Sequence, residues 1–198
     1  MEAFESFVAV ALETEDLVVS EAIKFRVALP TKKAAYEEIQ THGYEVDLVG
    51  ARSDRLVLAT VKSFFGSRGV VAEHVTGATA DDGARKRYRL LNDPELRTAV
   101  VAAAAERFGY QAGQVRLRLY AGRFAAQAQG LHEQRIRDWC ARQIAGGGPI
   151  EVIGITEVIT KVLGAAAQKQ YRENAVLVTM KVLEAAGLLN LGLPPAAP

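Results

Sequence analysis

The chain has 198 residues, of which 49% are apolar and 24% charged, and its formal net charge is +1. This composition is typical of a folded globular protein and excludes a disordered chain. The small net charge also excludes binding to nucleic acid or to an anionic membrane through a global polycation, so any basic surface must be local.

The cysteine content and the first residues bear on the compartment. Cys140 is the single cysteine, so an internal disulfide is excluded, which favours a reducing cytoplasm. The opening stretch "MEAFESFVAVALETED" is acidic and lacks the basic start of a secretory signal. No apolar run approaches the roughly 20 residues of a membrane-spanning helix. We therefore expect a cytoplasmic protein that does not enter a membrane.

The first elements of the chain are predicted from periodicity. Apolar residues at helical spacing over residues 2–14 predict a short amphipathic helix. Alternation rich in β-branched residues over residues 17–29 predicts a strand. The polar stretch that follows, residues 31–43, is either a loop or an extension of a hairpin.

A hairpin is predicted next. Residues 44–51 and 55–64 read as two strands, and the polar pair Ser53–Asp54 suits a tight turn between them. Residues 76–87 are small, polar and rich in glycine, so we expect them to form an exposed, mobile loop.

Helices and strands are predicted to alternate in the second half. Asp93 is an N-cap signal and Pro94 suits the first helical position, so a helix begins here and continues to about Phe108. The remaining predicted elements are a strand at 114–124, a helix at 131–145, a strand at 150–154 and two closing helices at 155–171 and 174–189.

The order of these elements is α-β-β-β-α-β-α-β-α-α, which predicts a mixed α/β protein. We expect an α/β core over residues 1–153, a C-terminal helical extension over 154–190 that packs on the core, and a disordered tail at 191–198.

The turn fixes which hairpin residues share a face. A two-residue loop at Ser53–Asp54 sets Asp47 opposite Thr60 and Glu45 opposite Lys62, and cross-strand partners point to the same side of a sheet. Charged groups are thus predicted to converge at one end of the hairpin, as in a functional site. The opposite face is expected to be core and comprises Tyr44, Val46, Leu48, Val57, Ala59 and Val61.

With these residues the chain resembles the PD-(D/E)XK nuclease-like superfamily, which has the restriction-endonuclease-like fold. The predicted helix 2–14 carries Glu5, the strand "YEVDLVG" carries Asp47, and "ATVKS" carries Lys62. The resemblance spans roughly residues 2–124 and rests on the order of elements more than on the short motif. It implies an αβββαβ core with a mixed sheet flanked by helices.

The resemblance also implies a chemistry. Hydrolysis of a phosphodiester uses a hard cation held by oxygen ligands, here Mg²⁺ or Mn²⁺, which polarises the phosphate and activates water. Asp47 would be the principal metal ligand, Glu5 an auxiliary ligand, and Lys62 the catalytic lysine that stabilises developing negative charge.

Thr60 departs from the family pattern, which has Asp or Glu two residues before the lysine. Threonine brings no negative charge, so another acid must replace it if the protein is a Mg²⁺-dependent endonuclease. Glu45 is the nearest candidate, both as a catalytic group and as a metal ligand, while Glu38 and Glu73 are further acids without a predicted place. Otherwise activity is reduced or lost and no cofactor is needed.

Two further groups suggest contacts with phosphate. Ser67 and Arg68 lie in "GSRG", which either cradles a phosphate or is a flexible turn. Arg116 and Arg118 share a face of the strand 114–124 and are either a phosphate-binding surface or solvated arginines.

The leading hypothesis is therefore a nucleic-acid-binding protein with a nuclease-like core, with DNA expected as the partner rather than RNA. The alternatives are a catalytically inert module for binding nucleic acid or protein, and a structural homodimer closed by the C-terminal helices.

Overall fold

The computed structural model describes residues 2–30, 39–127, 130–168 and 173–189. The predicted tail at 191–198 and the candidate acid Glu38 lie outside these ranges. The helices are α1 (Ala3–Glu13), α2 (Ala72–Thr76), α3 (Asp82–Lys86), α4 (Arg89–Asn92), α5 (Pro94–Phe108), α6 (His132–Cys140), α7 (Ile155–Ala166) and α8 (Ala175–Ala185), with a short 3₁₀ helix at Ala112–Gln114. The strands are β1 (Val18–Pro30), β2 (Ile39–Arg52), β3 (Arg55–Lys62), β4 (Val115–Ala121), β5 (Ala126–Gln127), β6 (Gly130–Leu131), β7 (Ile144–Ala145), β8 (Gly148–Pro149) and β9 (Glu151–Gly154).

The main sheet has five strands in the order β1-β2-β3-β4-β9. Strands β1, β2 and β3 are antiparallel neighbours, whereas β4 runs parallel to β3 and β9 parallel to β4. The predicted mixed sheet flanked by helices is therefore confirmed. Because β3 is central, its carboxyl end is surrounded by other elements and can gather side chains from several of them.

Each face of the sheet is covered by its own layer of helices. On one side, called here the α5 layer, α2, α4, α5 and α6 pack over Leu56 and Leu58 of β3. On the other side, called the α1 layer, α1, α7 and α8 pack over Val57 and Ala59. Burial on both faces explains the nearly continuous apolar sequence of β3. Among the described helices, none has the length and apolar character to cross a membrane.

The predicted hairpin register is confirmed where β2 pairs with β3. Arg52 pairs with Arg55 across the two-residue turn, and the ladder continues to the pair Leu48 and Ala59. The β1–β2 hairpin is longer than predicted, since its ladder reaches Pro30 and Ile39. Of the polar stretch 31–43, residues 39–43 thus extend the hairpin, while residues 31–38 lie outside the described ranges.

The alternation of β2 is interrupted near Asp47. Val46 packs in the α5 layer together with Val49, whereas Leu48 packs in the α1 layer. In β1, Ala22 lies between the residues that pair with Val46 and Leu48, and it has a left-handed backbone with φ 49°. Both strands therefore change face at one level, although the pairing register between them is the same on either side of it. The prediction that Tyr44 and Val46 share a face with Leu48 is wrong for this reason.

The segment 76–87 differs from the predicted mobile loop. It contains the short helix α3, whose N-cap residue Asp81 accepts a hydrogen bond from the backbone N–H of Ala84 at 3.0 Å. Ala84 is fully buried. A capping interaction and a small buried residue therefore order a stretch whose composition alone resembles a loop.

Candidate functional site

Asp47 and Lys62 lie together at the carboxyl end of β3. Oδ2 of Asp47 accepts hydrogen bonds from the backbone N–H of Val61 at 2.6 Å and from the Thr60 hydroxyl at 3.2 Å, and Nζ of Lys62 is 3.5 Å away. The backbone ladder between β2 and β3 ends one pair earlier, at Leu48. The Asp47 carboxylate therefore accepts the backbone N–H of Val61 beyond the last backbone pair of β2 and β3.

The surroundings shelter this pair without enclosing it. The Asp47 side chain is 25% exposed and the Lys62 side chain 20% exposed. Lys62 is level with Ala121, the last residue of β4, so both strands end at the same edge of the sheet. Carboxyl ends of parallel strands are where open α/β sheets usually bind ligands. The ammonium group of Lys62 is thus placed to meet an anionic ligand.

Glu45 does not join this cluster. Its carboxylate lies 3.5 Å from Nζ of Lys24 on the neighbouring strand, in an exposed pair. The change of face near Asp47 explains the difference, because strict alternation is the basis on which Glu45 was predicted to face Lys62. The predicted replacement of Thr60 by Glu45 is corrected accordingly.

The other acids of the sequence prediction have different partners. The Glu5 carboxylate accepts the backbone N–H of Glu2 at 3.0 Å, which caps the first turn of α1. The Glu2 carboxylate accepts the hydroxyl of Ser63 at 2.9 Å, so this turn lies beside the residue after Lys62. Glu73 pairs with Arg135 at 2.6 Å.

Tyr44, Arg89 and Asp93 border the site and were missed by the sequence prediction. Burial and the negative charge of Asp47 raise the pKa of Tyr44, and the phenol oxygen accepts the backbone N–H of Leu90. Arg89 lies 2.8 Å from the Asp93 carboxylate. Tyr44 thus lies near two ion pairs, that of Asp47 with Lys62 and that of Arg89 with Asp93. Tyr44 was missed because it lies three residues before Asp47, and strict alternation assigns residues three apart to opposite faces of a strand.

The donor set does not fit the cation that the resemblance implies. Asp47 contributes a carboxylate whose Oδ2 is engaged by three donors, and the Thr60 side chain points its hydroxyl at that same oxygen. Within the described ranges, no group of three or more His, Cys, Asp or Glu side chains could hold a metal ion. Mg²⁺ and Mn²⁺ prefer several oxygen ligands at once. The described residues around Asp47 therefore do not form a complete site for such a cation.

No protein-family model, curated protein or solved structure matches this chain. The resemblance to the nuclease-like superfamily therefore stays a prediction, which rests on the order of elements and on Asp47 and Lys62.

The loop after β3 carries the two residues predicted to cradle a phosphate. The Ser67 hydroxyl donates to the carbonyl of Phe64 at 3.4 Å, and Arg68 is exposed. Phe64 has a left-handed backbone with φ 47°, which turns the chain sharply after the strand. Arg68 therefore remains a candidate for contact with phosphate at the same edge as Lys62.

The two arginines of β4 are not an open basic surface. They do share a face, as predicted, but Arg118 is only 7% exposed and its guanidinium binds the carboxylates of Glu15 at 2.9 Å and Glu151 at 2.6 Å. Arg116 donates to the carbonyl of Gly113 at 2.9 Å. The interpretation of Arg118 as a phosphate-binding side chain is corrected, because its charge is already neutralised inside the protein.

Cys140 is buried in the α5 layer. Burial raises the pKa of its thiol to about 12, so the thiolate form needed for nucleophilic chemistry is not populated near neutral pH.

Proposed function

We propose that this protein binds nucleic acid and that it contacts the phosphate backbone at the carboxyl edge of its central strands. The observation that carries the proposal is the pair of Lys62 and Asp47, 3.5 Å apart at the end of β3. A helix, three antiparallel strands, a helical segment that ends in the long helix α5, and a parallel strand follow one another, and this order is compatible with the one that the nuclease-like resemblance implies. We propose the restriction-endonuclease-like fold on the same grounds.

Other cations at this edge support the proposal. Arg68 and Arg123 are exposed, and they belong to neighbouring loops because the carbonyl of Arg123 accepts the backbone N–H of Val70 at 2.8 Å. Together with Lys62 they form what we call the basic edge. A local group of cations can bind a polyanion although the net charge of the chain is only +1.

The proposed role of Asp47 is to position Lys62. A carboxylate that accepts three donors is held in one orientation, and its ion pair with Lys62 holds the ammonium group at the carboxyl edge. In this role Asp47 serves binding without a cation, which is the catalytically inert alternative for a nuclease-like core.

The replacement of Lys62 by alanine tests the proposal. We expect Lys62→Ala to weaken binding of DNA and RNA to a similar degree for every sequence, because a phosphate contact carries no sequence information. The slope of log K against log salt concentration should fall by about 1. Fluorescence anisotropy of labelled oligonucleotides, titrated at several KCl concentrations in EDTA, measures both quantities.

Lys181→Ala is the matched control. Lys181 lies on α8, in the α1 layer. Its side chain is 19% exposed and is paired with Glu184 at 3.7 Å, much as Lys62 is paired with Asp47. The control should bind as the wild type does. Equal losses in the two variants would contradict the proposed site, and absence of binding by the wild type would end the proposal.

The second candidate is the metal-dependent phosphodiesterase that the nuclease-like resemblance implies, in which a further oxygen donor would have to complete the cation site at Asp47. Its test is a panel of labelled DNA and RNA incubated with Mg²⁺ or Mn²⁺. Cleavage that disappears in Lys62→Ala would support an enzyme, whereas intact substrates with both metals would leave binding as the function.

A further inference from the structure

An aromatic side chain stands out of the protein beside the basic edge. Phe65 is 50% exposed, although it is a large apolar residue. It lies in the loop of residues 63–69 that directly follows Lys62 and also carries Arg68. A half-exposed aromatic ring beside exposed cations can offer an apolar face and positive charge to the same ligand.

The ring of Phe65 is held in place rather than free to turn away. It makes a T-shaped contact with the ring of Phe4 on α1, with 5.3 Å between centroids and 82° between planes. On another side it lies against Gly122, where an added Cβ atom would be 2.9 Å from the ring and 2.5 Å from the carbonyl of Ser63. The glycine therefore permits the close approach that fixes the ring at the end of β4.

Both ends of the loop are fastened by backbone hydrogen bonds. The N–H of Gly122 donates to the carbonyl of Lys62 at 2.8 Å, and the N–H of Ala125 donates to the carbonyl of Val70 at 2.9 Å. The loop is thus joined to the chain after β4 on each side of Phe65. A ligand that binds this ring meets a surface that is already ordered, which lowers the entropic cost of binding.

We infer that the ring of Phe65 is a stacking surface for a base of single-stranded nucleic acid, whose phosphates are held by Lys62, Arg68 and Arg123. The inference rests on the proposed function and specifies its ligand. Single strands are bound by aromatic rings that stack with bases beside cations that follow the backbone. A duplex cannot use this ring, because its base faces are already stacked on one another.

The charge around Phe65 favours this occupant over an apolar one. A hydrophobic partner segment would have to desolvate the neighbouring exposed arginines without offering them an anion, which is costly. A nucleic acid supplies an apolar base face and an anionic backbone together. If an apolar peptide were the occupant instead, the affinity for oligonucleotides would not depend on Phe65.

The experiment compares Phe65→Leu with Phe65→Trp. Leucine keeps an apolar side chain but has no π face, so affinity for a single-stranded oligonucleotide should fall about tenfold, whereas tryptophan should retain or improve it. Affinity for the corresponding duplex should change little in either variant. Anisotropy titrations at fixed salt measure the affinities, and thermal melts confirm that both variants fold.

Leu188→Ala is a matched control, since Leu188 is an exposed apolar residue, at 77%, that lies after α8 and far along the chain from the basic edge. It should bind as the wild type does. The introduced tryptophan gives a second measurement, because stacking with a base should quench its fluorescence, whereas Trp139 on α6 provides the background.

The outcomes separate the inference from the function on which it rests. If the wild type binds single strands and duplexes but Phe65→Leu binds both as the wild type does, the stacking surface is refuted and the proposed function stands. If the wild type binds neither, both are refuted. Unquenched fluorescence of Phe65→Trp in its complex with a single strand would also overturn the inference.

Discussion

The substitution Glu15→Gln is expected to lower the free energy of unfolding by about 3 kcal/mol, because breaking a buried ion pair leaves uncompensated charge behind. Glu15 follows α1 and its side chain is only 16% exposed. Its carboxylate binds Arg118 at 2.9 Å, Lys161 at 2.6 Å and Arg55 at 3.1 Å. One acid thereby joins the end of α1 to two strands and to α7.

The loss cannot be absorbed by the remaining acid of this network. Glu151 binds Arg118 alone among these cations, at 2.6 Å. In Glu15→Gln, Arg55, Arg118 and Lys161 would surround an amide instead of a carboxylate. The amide has no charge and offers a single acceptor oxygen. Arg118 is only 7% exposed, so water can hydrate its charge only in small part.

The contribution of Glu15 should also depend on pH. Burial alone would raise the pKa of Glu15, but hydrogen bonds from Arg118 and Lys161 outweigh it and hold the pKa below its ordinary value. The carboxylate is therefore more acidic in the folded than in the unfolded protein. Its contribution is full above the unfolded-state pKa of about 4.3 and disappears as the pH falls through the lower folded-state pKa.

Urea denaturation of the wild type and of Glu15→Gln, at pH 7 and at a series of values below 4.5, measures both effects. The difference between the two proteins should be largest at neutral pH and should shrink on acidification. Asp82→Asn is the control, because Asp82 also pairs with two cations, Arg85 and Lys86, but in an exposed position. Equal losses in Asp82→Asn and Glu15→Gln would show that burial is not the cause.

Much of the fold could be predicted from the sequence because its signals are local. Asp93 accepts the N–H of Leu96 at 3.1 Å and Pro94 begins α5, as the capping pattern predicts. The turn at Ser53–Asp54 fixes the pairing of Arg52 with Arg55, and the chain order of the main elements follows. These features depend on residues close in sequence, so tertiary contacts did not override them.

The composition of the site could be predicted only in part because it depends on the interruption of the strand near Asp47. Alternation places Asp47 beside Thr60 correctly, but it also places Glu45 there and Tyr44 on the far side. The left-handed backbone of Ala22, on the neighbouring strand, has no signal in the sequence of β2. Arg118 shows the same limit, since its partner Glu15 is distant in the chain.

The second large effect is expected at Asp47. We expect Asp47→Ala to lower the free energy of unfolding by about 2 kcal/mol, since a buried donor without an acceptor costs 1–3 kcal/mol. The donor is the N–H of Val61, a residue 7% exposed, and the Thr60 hydroxyl loses its acceptor as well. Chemical denaturation of the variant in EDTA measures this loss.

Asp47→Asn separates a structural carboxylate from a metal ligand. The amide oxygen can still accept from Val61 and Thr60, so most of the stability should be retained. The amide oxygen can also keep Lys62 in place, while loss of the negative charge removes the repulsion between residue 47 and a bound phosphate, so the affinity for nucleic acid in EDTA should rise relative to the wild type. A ligand for Mg²⁺ would behave differently, because its replacement by asparagine would weaken any binding that requires the cation.

Asp54→Asn is the matched control for this effect. Asp54 lies in the turn of the same hairpin and pairs with Arg52 at 2.7 Å, at the end of β3 that is remote from Lys62. The substitution Asp54→Asn removes the same charge from the same hairpin, so an affinity gain common to both variants would reflect net charge alone. A gain confined to Asp47→Asn would locate the bound phosphate at Lys62. If Asp47→Asn instead lost affinity that Mn²⁺ gives to the wild type, the carboxylate would be a metal ligand, and the positioning role proposed for it would be wrong.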